Sequence, residues 1–208
     1  MPRAALKPTD IAAFRARATE AATRLFAADG YEAVTMRALA DALGCSAMTP
    51  YRYLAGKDEL FALVRAEAFR RFAERLEAAI ARAGDPIAAL RRLKRAYVAF
   101  AIDEADAYRV MFELREPPDH HHWPELERES RRAFGCLLHA VQRAIDAGAL
   151  VGDALTVAHL LWASTHGVVS LHLAGRLTAG RSLAQLSDID HELAGFRPAE
   201  GPRTRRRT

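Results

Sequence analysis

Between Thr35 and Leu60 the chain reads TMRALADALGCSAMTPYRYLAGKDEL, and side-chain hydrogen-bond donors crowd into its second half. Thr49, Tyr51, Arg52 and Tyr53 fall close enough together to share one short rod, where a buried helix would carry aliphatic residues. Lys57 opens the next helix, whose first turn also holds Asp58 and Glu59. Acids suit the positive end of a helix dipole. A lysine there costs roughly a few tenths of a kcal/mol unless an anion joins it. A lysine at a helix N-terminus is therefore a ready phosphate site, although a solvated lysine needs no ligand. These groups can hold phosphate and read polar edges. They include no nucleophile–base set, and no metal motif or phosphate-cradling glycine loop accompanies them.

The elements that must position these groups can be read from caps and spacing. Thr35 is a good N-cap, and Met36, Leu39, Ala40 and Leu43 then share one helical face. Gly44 supplies the left-handed stop, and Ser46 is a fresh N-cap, which predicts a second short helix over Ala47–Leu54. Two short helices joined by a glycine-containing turn make a helix-turn-helix. Upstream, Thr9 or Asp10 can cap a helix to about Asp29, with Phe14, Ala18, Ala22, Leu25 and Phe26 as its apolar stripe and Gly30 as its end. Downstream, the helix from Lys57 to about Ala83 buries Leu60, Leu63, Val64, Phe69, Phe72, Leu76 and Ile80.

Helical spacing continues over Pro86–Ile102, Ala105–Leu114, Pro124–Ala147 and Ala154–Ala174, the last capped by Asp153, and then from a Ser182 cap to about Phe196. The segment 116–123 (EPPDHHHW) interrupts it, because its prolines remove donors. Alanine and leucine dominate and β-branched residues are sparse, so the expected class is all-α. The expected division is a three-helix N-terminal helix-turn-helix domain over 9–55, supported by 57–65, followed by a larger helical domain over 56–196. The tail 197–208 is basic, and its five arginines against one glutamate account for the whole formal net charge of +4. Bulk charge is thus no argument for nucleic acid. Such a tail most simply solubilises, and it could add non-specific phosphate attraction. No apolar run approaches a membrane span and no secretory leader is read. Cys45 and Cys136 stand far apart, which suits a reducing cytoplasm.

Phe26-Ala27-Ala28-Asp29-Gly30-Tyr31, Thr35, Leu39-Ala40, Gly44, Ser46, Tyr51-Arg52-Tyr53 and Gly56-Lys57-Asp58-Glu59-Leu60 together resemble the TetR family of transcriptional regulators. Tyr108-Arg109-Val110-Met111-Phe112 and Trp162-Ala163-Ser164-Thr165-His166-Gly167 with Leu171 resemble its WHG-type C-terminal domain. The resemblance implies a homodimer through the last two helices, a double-stranded DNA operator, a small-molecule effector of unknown identity, no cofactor and no membrane. It implies most often a repressor released by its ligand. It sets Thr35, Tyr51 and Lys57 at phosphate-contacting positions and makes Ala47, Met48, Thr49, Arg52 and Tyr53 candidates for base edges. Arg37 and Ser46 complete the candidate DNA-binding set. Arg52 could read guanine or could equally contact phosphate. Cys45 departs from the family's usual valine, Pro50 from an aliphatic residue and Leu54 from phenylalanine.

Aromatic residues and methionine concentrate in the later helices. Tyr97, Phe100, Tyr108, Met111, Phe112, Phe134, Leu138, Trp162 and His166 are the candidate ligand-binding set, with plain core packing as the alternative for each. Leu160, Leu161, Val168 and Leu171 are candidate dimer contacts. His120-His121-His122 cannot all converge on one ion, and His159, His166 and His172 drift around their helix, so no metal site is expected. The competing reading is a helical small-molecule-binding protein or enzyme without specific DNA binding.

Overall fold

Pro8 occupies the first position of helix α1 (Pro8–Ala33), where its missing N–H costs nothing, so neither Thr9 nor Asp10 is needed as a cap. The computed structural model of the chain describes residues 7–81, 83–114 and 123–187. Gly30 breaks the helical geometry within α1 at φ 79°, a conformation that glycine adopts without penalty. Thr35 caps α2 (Met36–Ala42) as expected, its hydroxyl accepting from the Ala38 amide at 3.1 Å. A 3-10 turn (Pro50–Arg52) follows, then α3 (Lys57–Ile80), α4 (Pro86–Asp103), α5 (Ala105–Phe112), α6 (Pro124–Asp146), α7 (Ala154–Leu173) and α8 (Leu183–Ser187). Among the described residues there is no strand, and the all-α class holds.

The segment expected as a two-turn helix over Ala47–Leu54 is not α-helical. Ser46 does not cap it in the ordinary way. Its carbonyl accepts from the Thr49 amide at 2.8 Å, and its hydroxyl pairs with the Thr49 hydroxyl at 2.9 Å. Were Ser46 the cap, residue 50 would be the first whose N–H must join the i→i−4 ladder, and proline has none. The backbone therefore winds tightly, with Tyr53 N–H donating to the Pro50 carbonyl at 2.9 Å, and the Pro50 ring is buried.

Two units form. The first takes Met1–Arg71 and Glu104–Ser130, the second Phe72–Asp103 and Arg131–Thr208, so α3 and α6 each run from one into the other. The first unit's core gathers Ala18, Ala22 and Phe26 of α1, Leu39 of α2, Leu54 of the loop before α3, Leu60, Phe61 and Val64 of α3, and Val110 of α5. Phe26 and Phe61 meet edge to face at 4.9 Å. Burying a ring of this kind contributes about 1.5–3 kcal/mol.

In the second unit Phe72 packs against Tyr97 and Phe100 at 5.2 and 5.0 Å, and Arg132 of α6 holds Glu77 of α3 through two bonds of 2.6 and 2.7 Å. Asp153 caps α7, and the Thr156 backbone and hydroxyl hold its carboxyl below the usual carboxylate range. A capping box opens α8, with the Ser182 amide on Gln185 Oε1 at 2.9 Å and the Gln185 amide on Ser182 Oγ at 3.3 Å. The expected course of this helix to Phe196, the 120–122 histidines and the basic tail lie outside the described residues. One expectation is corrected. Helix α7 is long and apolar enough, by length and composition, to cross a membrane, because its leucines and valines outweigh its scattered serines and histidines.

Candidate nucleic-acid interface and inner cavity

The turn from Ser46 to Arg52 is presented from below by α1. Arg15 of α1 donates from Nε and Nη2 to the Tyr53 carbonyl at 3.2 and 3.1 Å, and from Nη2 to Glu59 Oε1 at 2.7 Å. The other Glu59 oxygen accepts the Ala55 amide at 2.6 Å. One guanidinium and one carboxylate thus fix both sides of the loop that links the 3-10 turn to α3. Phe14 stacks on Tyr53 with ring centroids 4.0 Å apart. Tyr53 is accordingly packed against α1, whereas Thr35, Arg37, Ser46, Ala47, Met48, Tyr51 and Arg52 are exposed and Thr49 is half-buried. The Thr35 hydroxyl spends only an acceptor lone pair on its cap, which leaves its O–H to donate outward.

Lys57 is half-buried, and its ammonium donates to the Tyr31 and Glu32 carbonyls at 3.0 and 3.3 Å. It also lies 4.3 Å from the Tyr31 ring centroid. The cation that is misplaced for its own helix is held by carbonyls beyond the Gly30 break in α1. Tyr31 in turn donates its hydroxyl to Asp58. Burial first, and then the Asp58 hydrogen bond and charge, push the Tyr31 phenol well above its ordinary range.

The second unit holds a small cavity of about 40 Å³, lined by Leu76, Leu90, Leu93, Lys94, Tyr97, Leu137, Leu161, Trp162 and Thr165. Of the expected ligand residues, Tyr97 and Trp162 reach it. Tyr97 Oη pairs with His166 Nδ1 at 3.2 Å, and Phe134 meets the Trp162 ring at 5.9 Å. Phe100 is fully buried against Phe72, and Leu138 of α6 is half-buried. Tyr108, Met111 and Phe112 belong to the first unit, where Phe112 packs on Tyr108 and Phe69 at 5.0 and 5.5 Å. Lys94 places its ammonium 3.1 Å from the Leu186 carbonyl of α8. Among the described residues no group of three His, Cys, Asp or Glu could hold a metal ion. The Cys136 thiol is buried, and burial with the Glu77 charge raises its pKa.

A family model described as bacterial regulatory proteins, tetR family, matches residues 18–64. A second, the tetracyclin repressor-like C-terminal domain, matches residues 90–190. The chain belongs to the TetR family of transcription regulators. Among solved structures, the regulatory protein SCO4313 is 25% identical, with a TM-score of 0.74 over 91% of this chain and 98% of its own. A protein of unknown function from Rhodococcus sp. RHA1 shares the fold at 22% identity and a TM-score of 0.72, over 87% of this chain and 91% of its own. The TetR regulator PfmR from Thermus thermophilus shares it at 21% and 0.66, over 86% and 96%. No curated protein matches the chain.

Within this TetR-family chain, sequence reading misses Arg15 and Glu59, which fix the loop after the 3-10 turn. Arg15 directly follows Phe14 of the apolar stripe, and that neighbour is the available signal. It also misses the leucines and Lys94 around the cavity, since aromatic content draws attention away from aliphatic walls.

Proposed function

We propose that this transcription regulator is a ligand-responsive repressor that binds a roughly palindromic operator as a homodimer and is released by a small-molecule effector. The observation that carries this reading is the turn Ser46–Arg52, which exposes Ser46, Ala47, Met48, Tyr51 and Arg52, is supported from behind by Arg15 and is flanked by Thr35, Arg37 and Lys57. A projecting turn of this size fits the major groove of B-DNA, with its outward residues on base edges and the flanking donors on phosphates. In this reading Ala47, Met48, Thr49 and Arg52 face bases. Thr35, Tyr51 and Lys57 hold phosphate, and Tyr53 keeps the turn against α1. Lys57 directs two of its donors at carbonyls, which leaves its third hydrogen for a phosphate oxygen.

The effector enters the second unit at the apolar cavity. A larger cleft of about 560 Å³ in the first unit is the weaker candidate, because its arginines are matched by glutamates: Arg15 by Glu59, and Arg70 and Arg71 by Glu67. At about 40 Å³ the apolar cavity holds a few waters, whereas small-molecule sites need about 300 Å³ or more. Ligand entry must therefore part the helices that line it. One of them is α3, which contributes Leu76 to the cavity. The protein works in the cytoplasm, and Leu160 and Leu171 of α7 contribute to the dimer.

Selection from random duplex DNA, followed by footprinting of the region upstream of its own gene, tests the reading. An enriched palindrome protected in that region is the expected result. If no sequence is enriched and nothing is protected, the chain is not an operator-binding repressor.

A further inference from the structure

We propose that Met48 is a specificity-determining residue that recognises thymine, its side chain packing on the 5-methyl group of a thymine in each operator half-site. The inference rests on the reading of Ser46–Arg52 as the base-facing segment. Met48 is 66% exposed, more than any other large apolar side chain among the described residues, and it projects from the middle of that segment. The hydroxyls on either side of it share part of their hydrogen-bonding capacity with each other. Ser46 and Thr49 share a hydroxyl–hydroxyl bond of 2.9 Å, and the Thr49 amide is spent on the Ser46 carbonyl. Pro50 contributes no donor and is buried. The Ala47 methyl and the Met48 thioether, both exposed, give the turn an apolar edge beside the exposed Ser46, Tyr51 and Arg52.

An apolar edge cannot discriminate among hydrogen-bonding patterns, but the major groove offers one hydrocarbon group. Thymine carries a C5 methyl, and adenine, guanine and cytosine present only donors and acceptors there. Methionine suits this contact, because its unbranched, polarizable chain adapts to the position of a single methyl without a fixed rotamer. The cations around it, Arg52 and Lys57, supply attraction to the duplex. Met48 supplies a preference at one base step.

Replacing thymine by uracil removes that methyl and leaves every hydrogen-bonding group in place, so it isolates the contact. The operator is first obtained by selection from random duplexes with the full chain. A selection that enriches nothing counts against the repressor reading and not against Met48 in particular. In the enriched site each thymine is then replaced in turn by uracil, symmetrically in both half-sites, and affinity is measured by fluorescence anisotropy. Burial of one methyl corresponds to about fourfold per half-site. One thymine position is expected to show that loss for the wild type and for Met48→Leu, and none for Met48→Ala. Because Met48 is exposed, both variants keep the wild-type melting temperature. The proposal is overturned if the selected half-site lacks thymine, if no uracil replacement weakens the wild type, or if the penalty persists undiminished in Met48→Ala.

Discussion

Lys57 and Tyr31 are joined twice, by an ammonium–carbonyl bond of 3.0 Å and by the placement of that ammonium 4.3 Å from the ring centroid. The pair explains how a lysine is tolerated at the start of α3. The positive end of that helix is offset by carbonyls from beyond the Gly30 break in α1, and the ring face adds a cation–π contact. Lys57→Ala is expected to lower the stability of the first unit by about 1 kcal/mol. It should also weaken binding to all DNA sequences alike and reduce the slope of log K against log salt by about one. A slope equal to the wild type's would leave Lys57 as a structural tie without a phosphate.

Tyr31 also couples this corner to pH. Its phenol is raised above the ordinary value near 10 by burial and by Asp58. A raised folded-state pKa means that the folded chain keeps a proton the unfolded chain gives up. Its contribution to stability is therefore complete below pH about 10 and is lost as pH rises towards the folded value. Denaturant unfolding between pH about 8 and 11 should show wild-type stability falling above 10, with a flatter profile for Tyr31→Phe. Parallel profiles would remove Tyr31 from the alkaline transition.

Pro50 sets the winding of the Pro50–Arg52 turn. Pro50→Ala restores an N–H that can reach the Ser46 carbonyl, so the segment can take up α-helical geometry and aim Met48 and Arg52 differently. The loss of buried ring atoms and the added freedom of the unfolded chain together cost about 1–2 kcal/mol. Operator affinity should drop by more than affinity for unrelated DNA. Equal losses on both would mean that the tight winding does not position the reading residues.

The features legible in the sequence are those that depend on neighbours only. The Thr35 cap, the Gly30 break and the Asp153 cap each need a few adjacent residues, and the structure has all three. The winding at Pro50 escapes such a reading, because proline near a helix start looks harmless, whereas with Ser46 as cap it stands where the ladder's first N–H is required. Arg15 reaches Tyr53 across 38 positions, and an apolar stripe carries no sign of such a contact. The aromatic residues grouped by composition as a pocket separate into ring-on-ring packing, as for Tyr108 with Phe112, and cavity walls, as for Tyr97 and Trp162. Composition cannot distinguish a ring that packs from a ring that faces a void.

The exposed face of α7 gives the sharpest test of assembly. Leu160 and Leu171 are 51% and 45% exposed, whereas Leu161 and Val169 on the opposite side are 5% and 0%. Ala163 and Ser164, small residues that let helices approach closely, are exposed between the two leucines. In the homodimer proposed above, a second copy of α7 would cover this apolar stripe and bury both stripes at once. Leu160→Glu combined with Leu171→Glu places charges on that stripe without touching the core, so helicity and melting of the chain should persist. Sedimentation at micromolar concentration should show a monomer. Operator affinity should fall on the order of a hundredfold, because two half-sites are no longer bound by one linked molecule. Leu161→Glu is the contrast, since a buried charge there should unfold the second unit before assembly is affected. A double variant that sediments as a dimer and binds the operator with wild-type affinity would place the interface away from this face.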